Sequence, residues 1–462
     1  MGVTEALAES VRKLRYEDLP PEVAHRGKEI ILDTLGAGIF GARMPWGRLV
    51  VELVEETSGK PEATVWGTSI MVPAVDAALA NGNSGHGFEL DDYHSGGKIH
   101  AGVVVVPAAL AVAERIQAGG RDLITAVVAG YEATIRTSLA SITSTWARGF
   151  HATGVFGGFG AAAAAGNLLG LGTLQMRHAL GLAATQAAGL LMAAVAEGAM
   201  SKRLHGGNAA SNGVRSALLA QKGFTASTRV LEAPEGSFYK GYADQWDLSA
   251  ITDGLGERFV ILDASYKPYP CCGSNHSSID CVLALRRQYR LTPDMVEGIV
   301  VKNARIVKDQ TGWDYQPSTQ FTAQMSIKYC MAAALVEGGV FVDQFRQDLL
   351  ADPRVLELTG RTRFEVDPEM DRIYPTRFPS IVDIHLKDGR VLTHRVEGPK
   401  GSPQNPLSYQ EVQDKFRAVV RDCIAQDAAE AIIQAVDQLE AVRDVREMTA
   451  HLVLQETAVR AP

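Results

Sequence analysis

Residues 154–166, GVFGGFGAAAAAG, are almost all small and apolar. Such a segment is stable in water only as a helix packed on every side by other helices, because small residues let neighbouring backbones approach closely. Apolar residues recur at helical spacing throughout residues 4–223, as at 24–40, 106–116, 122–139 and 200–221. A second small-residue stretch occupies residues 181–196. The first half therefore predicts an all-helical domain around a buried central layer. Its apolar runs, 179–196 included, are Ala/Gly-rich and interrupted by polar residues, so none is expected to span a membrane.

The pattern changes at residues 261–273 to Tyr, Pro, Cys and Gly, which marks a crossing into a second domain. Residues 298–306 alternate like a strand. Residues 381–386 and 391–396 flank Asp388-Gly389 and read as a β-hairpin, with helices at 277–289 and 322–336. After Gly398-Pro399-Lys400-Gly401-Ser402-Pro403 the helical period returns over 408–459, opened by a capping box of Ser408 and Glu411. A chain of 462 residues exceeds what one core usually organises. The expected fold class is mainly α with an α+β second domain: residues 1–266 and 400–462 form the helical domain, and 267–399 a smaller α+β domain with an antiparallel sheet.

A formal net charge of −8 and the absence of any dense Lys/Arg stripe argue against nucleic acid as a partner. Five cysteines, Cys271, Cys272, Cys281, Cys330 and Cys423, show no C-x-x-C spacing, so neither a disulfide framework nor an iron–sulfur centre is expected. Residues 1–15 mix acidic and basic side chains with no apolar core, and a cytoplasmic location follows as the expectation. An acidic protein that handles an anionic substrate must gather its cations locally.

Four segments gather them. The first is HGFELDDYH, residues 86–94, followed by Lys98, His100 and Gly102; it lies between helical stretches and carries Glu89, Asp91, Asp92 and Tyr93. The second, Arg148-Gly-Phe-His151, opens the small-residue helix, where free N–H groups attract anions or His151 serves simply as a cap. The third, Ser-Lys202-Arg203-Leu-His205, places three basic side chains at a helix entry, suited to a carboxylate or to a basic surface patch. The fourth runs from Tyr266 through Lys267, Cys271 and Cys272 to His276, and its prolines and aromatics restrict the loop. The glycines near residues 154–160 and 206–207 follow no predicted strand, so no dinucleotide or phosphate loop is expected. A proton beside a carboxylate is weakly acidic, and an enzyme that removes it needs cations against the developing charge and a positioned base.

Together HGFELDDYH with IHAGVVVVPAALAVAE, FHATGVFGGFGAAAAAG, MSKRLHGGNAASNGV, YKPYPCCGSNH and GSPQNPLS resemble the successive motifs of the MmgE/PrpD family. The resemblance implies a large helical domain built from both chain ends, a smaller α+β lid domain, a homodimer, and chemistry on small polycarboxylates without metal or cofactor. Activities in the family include 2-methylcitrate dehydration, cis-aconitate decarboxylation and iminodisuccinate epimerisation. It puts Glu89 where Asp is common, Tyr93 where a threonine is usual, and the motif histidine at His100, with Ala101 in place of a frequent proline. The remaining positions fall on His151, Lys202, His205, Lys267 and His276, with Arg203 beside them.

The leading expectation is a dehydratase-like elimination. Lys202, Arg203 and Lys267 bind carboxylates, together with Glu89, Arg148 and His205 around the substrate. His100 or His151 exchanges the α-proton, Asp92 orients a histidine, and His276 or Tyr93 protonates the leaving hydroxyl. Epimerisation and decarboxylation need the same enolate-stabilising pocket. A different reading makes His86, Asp92, His94 and His100 ligands of a divalent ion in a hydrolase, and a third is a non-catalytic helical interaction protein.

Overall fold

The computed structural model describes residues 1–190, 198–374 and 377–453. It divides into two compact units, Met1–Ala264 with Ser408–Pro462, and Ser265–Leu407. The second unit is wider at both ends than the expected 267–399. The reason is local: the Tyr266 N–H donates to the Gly401 carbonyl at 2.9 Å, and the Lys400 N–H donates to Asp280 at 2.8 Å, so both crossing segments are tied to it.

The first unit is helical apart from a ladder of two-residue strands, β1 (Ala63–Thr64) and β2 (Met71–Val72). Its central helix is Ala152–Leu168, whose residues from Ala152 to Gly166 are all buried. The helices Gly102–Ile116, Gly120–Leu139 and Ser201–Gln221 pack around it. Small residues make this possible. A Cβ on Gly160 would collide with the Thr134 hydroxyl and come within 2.6 Å of the Gly130 carbonyl. The helix Pro21–Ala42 begins on Pro21, whose missing N–H costs nothing at a first helical position.

The tail expected as one periodic stretch over 408–459 is several helices, Tyr409–Val420, Gln426–Asp437 and the short Arg446–Thr449. Ser408 caps the first by accepting from the Glu411 N–H, and the break lets two apolar faces, Val412/Phe416/Val419 and Ile432/Ile433/Val436, both bury. Residues 191–196 of the expected small-residue stretch and 454–459 of the tail lie outside the described residues.

The second unit is α+β. Its strands β3 (Val296–Asn303), β4 (Thr362–Val366), β5 (Ser380–Leu386) and β6 (Val391–Val396) form one sheet in the order β4-β3-β5-β6. β5 and β6 are the expected hairpin, turning through Gly389 at φ +88°. The pairings β3–β5 and β5–β6 are antiparallel, and β4 adds a parallel edge that the sequence reading did not contain. The helix expected over 322–336 is two, Gln320–Gln324 and Ile327–Glu337, because the Ser326 hydroxyl leaves the helical path to accept from the Tyr329 N–H. Among the described residues no helix is long and apolar enough to cross a membrane.

Candidate active site

The loop between the helices Ala74–Gly85 and Gly102–Ile116 is buried despite its charge: His86, Glu89, Asp91, Asp92 and His94 are each at most 7% exposed. Buried charges need partners, and the partners here define the site. One oxygen of Asp91, Oδ2, lies 2.9 Å from His86 Nδ1 and 2.8 Å from His100 Nδ1. An ionised carboxylate only accepts, so both imidazoles donate from Nδ1 and leave Nε2 as the basic nitrogen. His86 Nε2 is buried and has no hydrogen-bond partner among the described residues.

Asp92, expected to orient a histidine, does something else with its side chain. It accepts from the Gly102 N–H at 2.9 Å and from the Tyr131 hydroxyl at 2.7 Å, anchoring the start of the next helix. Only its backbone carbonyl reaches His100 Nδ1, at 3.0 Å. The approach requires glycine at 102, since a Cβ there would run into Asp92 Oδ1, Thr34 Oγ1 and the Tyr131 hydroxyl. The orienting carboxylate is therefore Asp91, and sequence reasoning had assigned the task to its neighbour.

Two more helices complete the cluster. His151 occupies the N-cap position of Ala152–Leu168 without capping it. Its ring stacks on His86 at 5.4 Å, and its Nδ1 shares a hydrogen bond with His205 Nδ1 at 2.9 Å. The His100 N–H donates to Thr153 at 3.2 Å, which ties the loop to this helix. The helix Ser201–Gln221 brings His205 and Lys202, and Lys202 is paired with Glu89. Glu89 holds a left-handed backbone, φ +57°, a conformation that a glutamate adopts only under restraint. Arg203 turns to the loop itself, donating to the Gly87 carbonyl at 2.8 Å with its guanidinium 3.9 Å from the centre of the Trp46 ring.

Burial dominates the electrostatics. It pushes His86 and His205 down to about 4, partly against Asp91 in the case of His86, and holds His151 well below its ordinary range, with His86, Lys202, His205 and His100 nearby adding to the effect. The Asp92 carboxyl is pushed up to about 7 by burial, with Asp33 and Asp91 adding to the shift. His86, His151 and His205 are thus neutral imidazoles at pH 7 beside a lysine, and one carboxylate, Asp91, holds the rings of His86 and His100.

Arg148 is exposed and pairs with Asp244 at 2.9 Å, outside the cluster, because it precedes the turn that takes the chain inward at His151. Tyr93 is half-buried in the same loop. Lys267 and His276 belong to the second unit, where both are buried; His276 opens the helix His276–Tyr289, and its Nε2 lies 3.4 Å from the Cys271 carbonyl. Burial pushes the Cys271 thiol well up, which disfavours a thiolate nucleophile.

The residues able to hold a metal ion, among those described, are His86, Asp91 and His100, with ligand atoms within 4.8 Å of one another. The hydrolase reading had named Asp92 and His94 in that set. Asp92 is committed to Gly102 and Tyr131, and His94 Nδ1 accepts from the Gly97 N–H at 2.9 Å.

The MmgE/PrpD N-terminal domain matches residues 5–250 and the MmgE/PrpD C-terminal domain residues 269–441. The chain belongs to the MmgE/PrpD family. It is 32% identical to a cis-aconitate decarboxylase-like protein of Aspergillus oryzae over 97% of both chains. It is 30% identical to the cis-aconitate decarboxylase of Aspergillus terreus, over 100% of this chain and 97% of that one. To the human cis-aconitate decarboxylase it is 29% identical, over 98% and 94%.

Proposed function

We propose that this protein is a lyase that removes carbon dioxide from cis-aconitate or a closely similar unsaturated tricarboxylate. The observation that carries the reading is the cluster of His86 and His100 on Asp91 with His151, His205 and Lys202 beside them, in a chain that aligns end to end with relatives named as cis-aconitate decarboxylases. In the proposed reaction the carbon–carbon bond to one carboxylate breaks and its electron pair passes into the neighbouring double bond and carboxylate. Carbon dioxide leaves, and a proton from an imidazolium goes to carbon. Lys202 faces the charge that develops, and His100, held by Asp91, is the proposed proton donor with His151 beside it. Lys267 and His276 enter this proposal on the sequence resemblance alone, as does a homodimer, which sedimentation would test.

Dehydration, the leading expectation from sequence, would use the same cations and differ in product; the names of the relatives favour decarboxylation. Carbon NMR of ¹³C-labelled cis-aconitate with chelator-treated protein in deuterated water tests the choice. Released carbon dioxide and one deuterium in an unsaturated dicarboxylate are expected. Hydration or loss of water without carbon dioxide would overturn it in favour of a dehydratase, and deuterium exchange alone in favour of an epimerase.

A further inference from the structure

The helix Tyr409–Val420 packs against the helix Pro21–Ala42 and sends a lysine into the interior. Lys415 Nζ donates to Asp33 Oδ1 at 2.6 Å and to the Leu90 carbonyl at 2.7 Å, and the side chains of Lys415 and Asp33 are 7% and 1% exposed. An ammonium this deep is uncommon and is held by its partners. Those partners belong to different parts of the fold. Asp33 lies on a packed helix of the core, whereas Leu90 stands between Glu89, with its left-handed backbone, and Asp91, which holds two imidazoles.

We propose that Lys415 is a positioning residue for the candidate active site: by fixing the carbonyl of Leu90 it fixes the Asp91 carboxylate on which His86 and His100 depend. A lysine that served only to neutralise Asp33 would need one bond. The second bond, to the carbonyl just before Asp91, couples the C-terminal helix to the loop. Glu89 makes that coupling useful, because a loop carrying a disfavoured backbone conformation relaxes unless the residues beside it are held. Asp33 in turn supplies the fixed point, since 17 of the 22 residues of its helix are buried.

The proposal rests on the proposed function only where turnover is measured, so the test has two arms. Lys415→Met is made alone and with Asp33→Asn, which removes the buried charge that the single variant would leave unpaired, and Lys415→Arg retains charge and donors. In full-length protein with ¹⁵N-labelled histidine, the double variant is expected to melt near the wild type while the Nδ1–H signals of His86 and His100 shift or broaden. Its kcat on cis-aconitate falls tenfold to about a hundredfold, the effect of misplacing a reacting group by roughly 1 Å, with a smaller change in KM. Lys415→Arg restores part of both. A double variant with unchanged histidine signals and unchanged kcat would overturn the proposal and leave Lys415 as a counter-ion. If the wild type does not turn over cis-aconitate, the functional reading fails, and the histidine signals still decide the role of Lys415.

Discussion

Asp91 and Asp92 are adjacent carboxylates with different partners, and amide substitution separates them. In Asp91→Asn the amide oxygen is neutral and cannot serve two imidazole N–H groups as the shared anion does, so His86 and His100 lose their common tautomer. A fall in kcat of about 10²–10⁴ is expected with little change in melting temperature, by analogy with other histidines that lose an orienting carboxylate. Asp92→Asn keeps an oxygen for the Gly102 N–H, so its kcat should fall less; an equal loss in both variants would contradict the assignment. A second expectation follows from the depressed histidines. With His86 and His205 near 4, these two imidazoles are neutral in the free site at pH 7, and a substrate carrying several negative charges favours protonation of an imidazole as it binds. Binding should take up a proton between about pH 4, where the free imidazoles titrate, and their raised value in the complex, and KM should rise with pH across that window. Calorimetry in buffers of different ionisation enthalpy measures this, and zero net uptake would sink it. Glu89, Lys202, His100 and His151 were readable because they stand in motifs. The division of labour between Asp91 and Asp92 was not, since in a loop no periodicity tells which of two adjacent side chains faces which partner.

Helices of the first unit were legible because their apolar period of 3.6 runs long enough to be unambiguous, so that 122–139 in sequence became Gly120–Leu139. β4 was not. Its five residues, TRFEV, alternate with charges and form only one edge of a sheet whose parallel partner lies some 60 residues away. The link between Asp33 and Lys415 spans 382 positions and leaves no local trace at all. The small-residue run, by contrast, predicts its own fragility. Ala in place of Gly160 gains roughly 1 kcal/mol of helix propensity. The new Cβ meets Thr134 and the Gly130 carbonyl, and the backbone carbonyl cannot rotate away. Overpacking of this kind costs about 1–3 kcal/mol, so Gly160→Ala should lower the urea midpoint. At Gly170, where φ is +65° and no atom lies within 4 Å of the added Cβ, alanine suffers from the backbone alone. A Gly160→Ala variant more stable than wild type would show that the two helices can slide apart without loss.

Across the whole molecule, buried titratable groups of opposite sign set how stability responds to acid. His86 and His94, both pushed down to about 4 by burial, bind their protons in the unfolded chain from about pH 6.5 downward but in the folded chain only near 4. Between those limits the unfolded state holds more protons, so each histidine makes the fold weaker as pH falls from about 6.5 to 4, by on the order of 3 kcal/mol over the window. Asp92 acts in the other direction. Its folded pKa, about 7, lies above its unfolded value, so its contribution is fully present below about pH 3.8 and is lost as pH rises through 7. Acidification therefore strengthens the fold through Asp92 while weakening it through the histidines. Comparing variants isolates each contribution from the many surface carboxylates. His94→Gln, whose amide oxygen can still accept from the Gly97 N–H, should flatten the loss of stability between about pH 6.5 and 4. Asp92→Asn should steepen it, because the counteracting carboxyl is gone. Urea midpoints at several pH values for the three proteins provide the check. Curves that run parallel would mean that neither group changes its proton affinity on folding, and that the loop around His86 is wetter than its packing indicates.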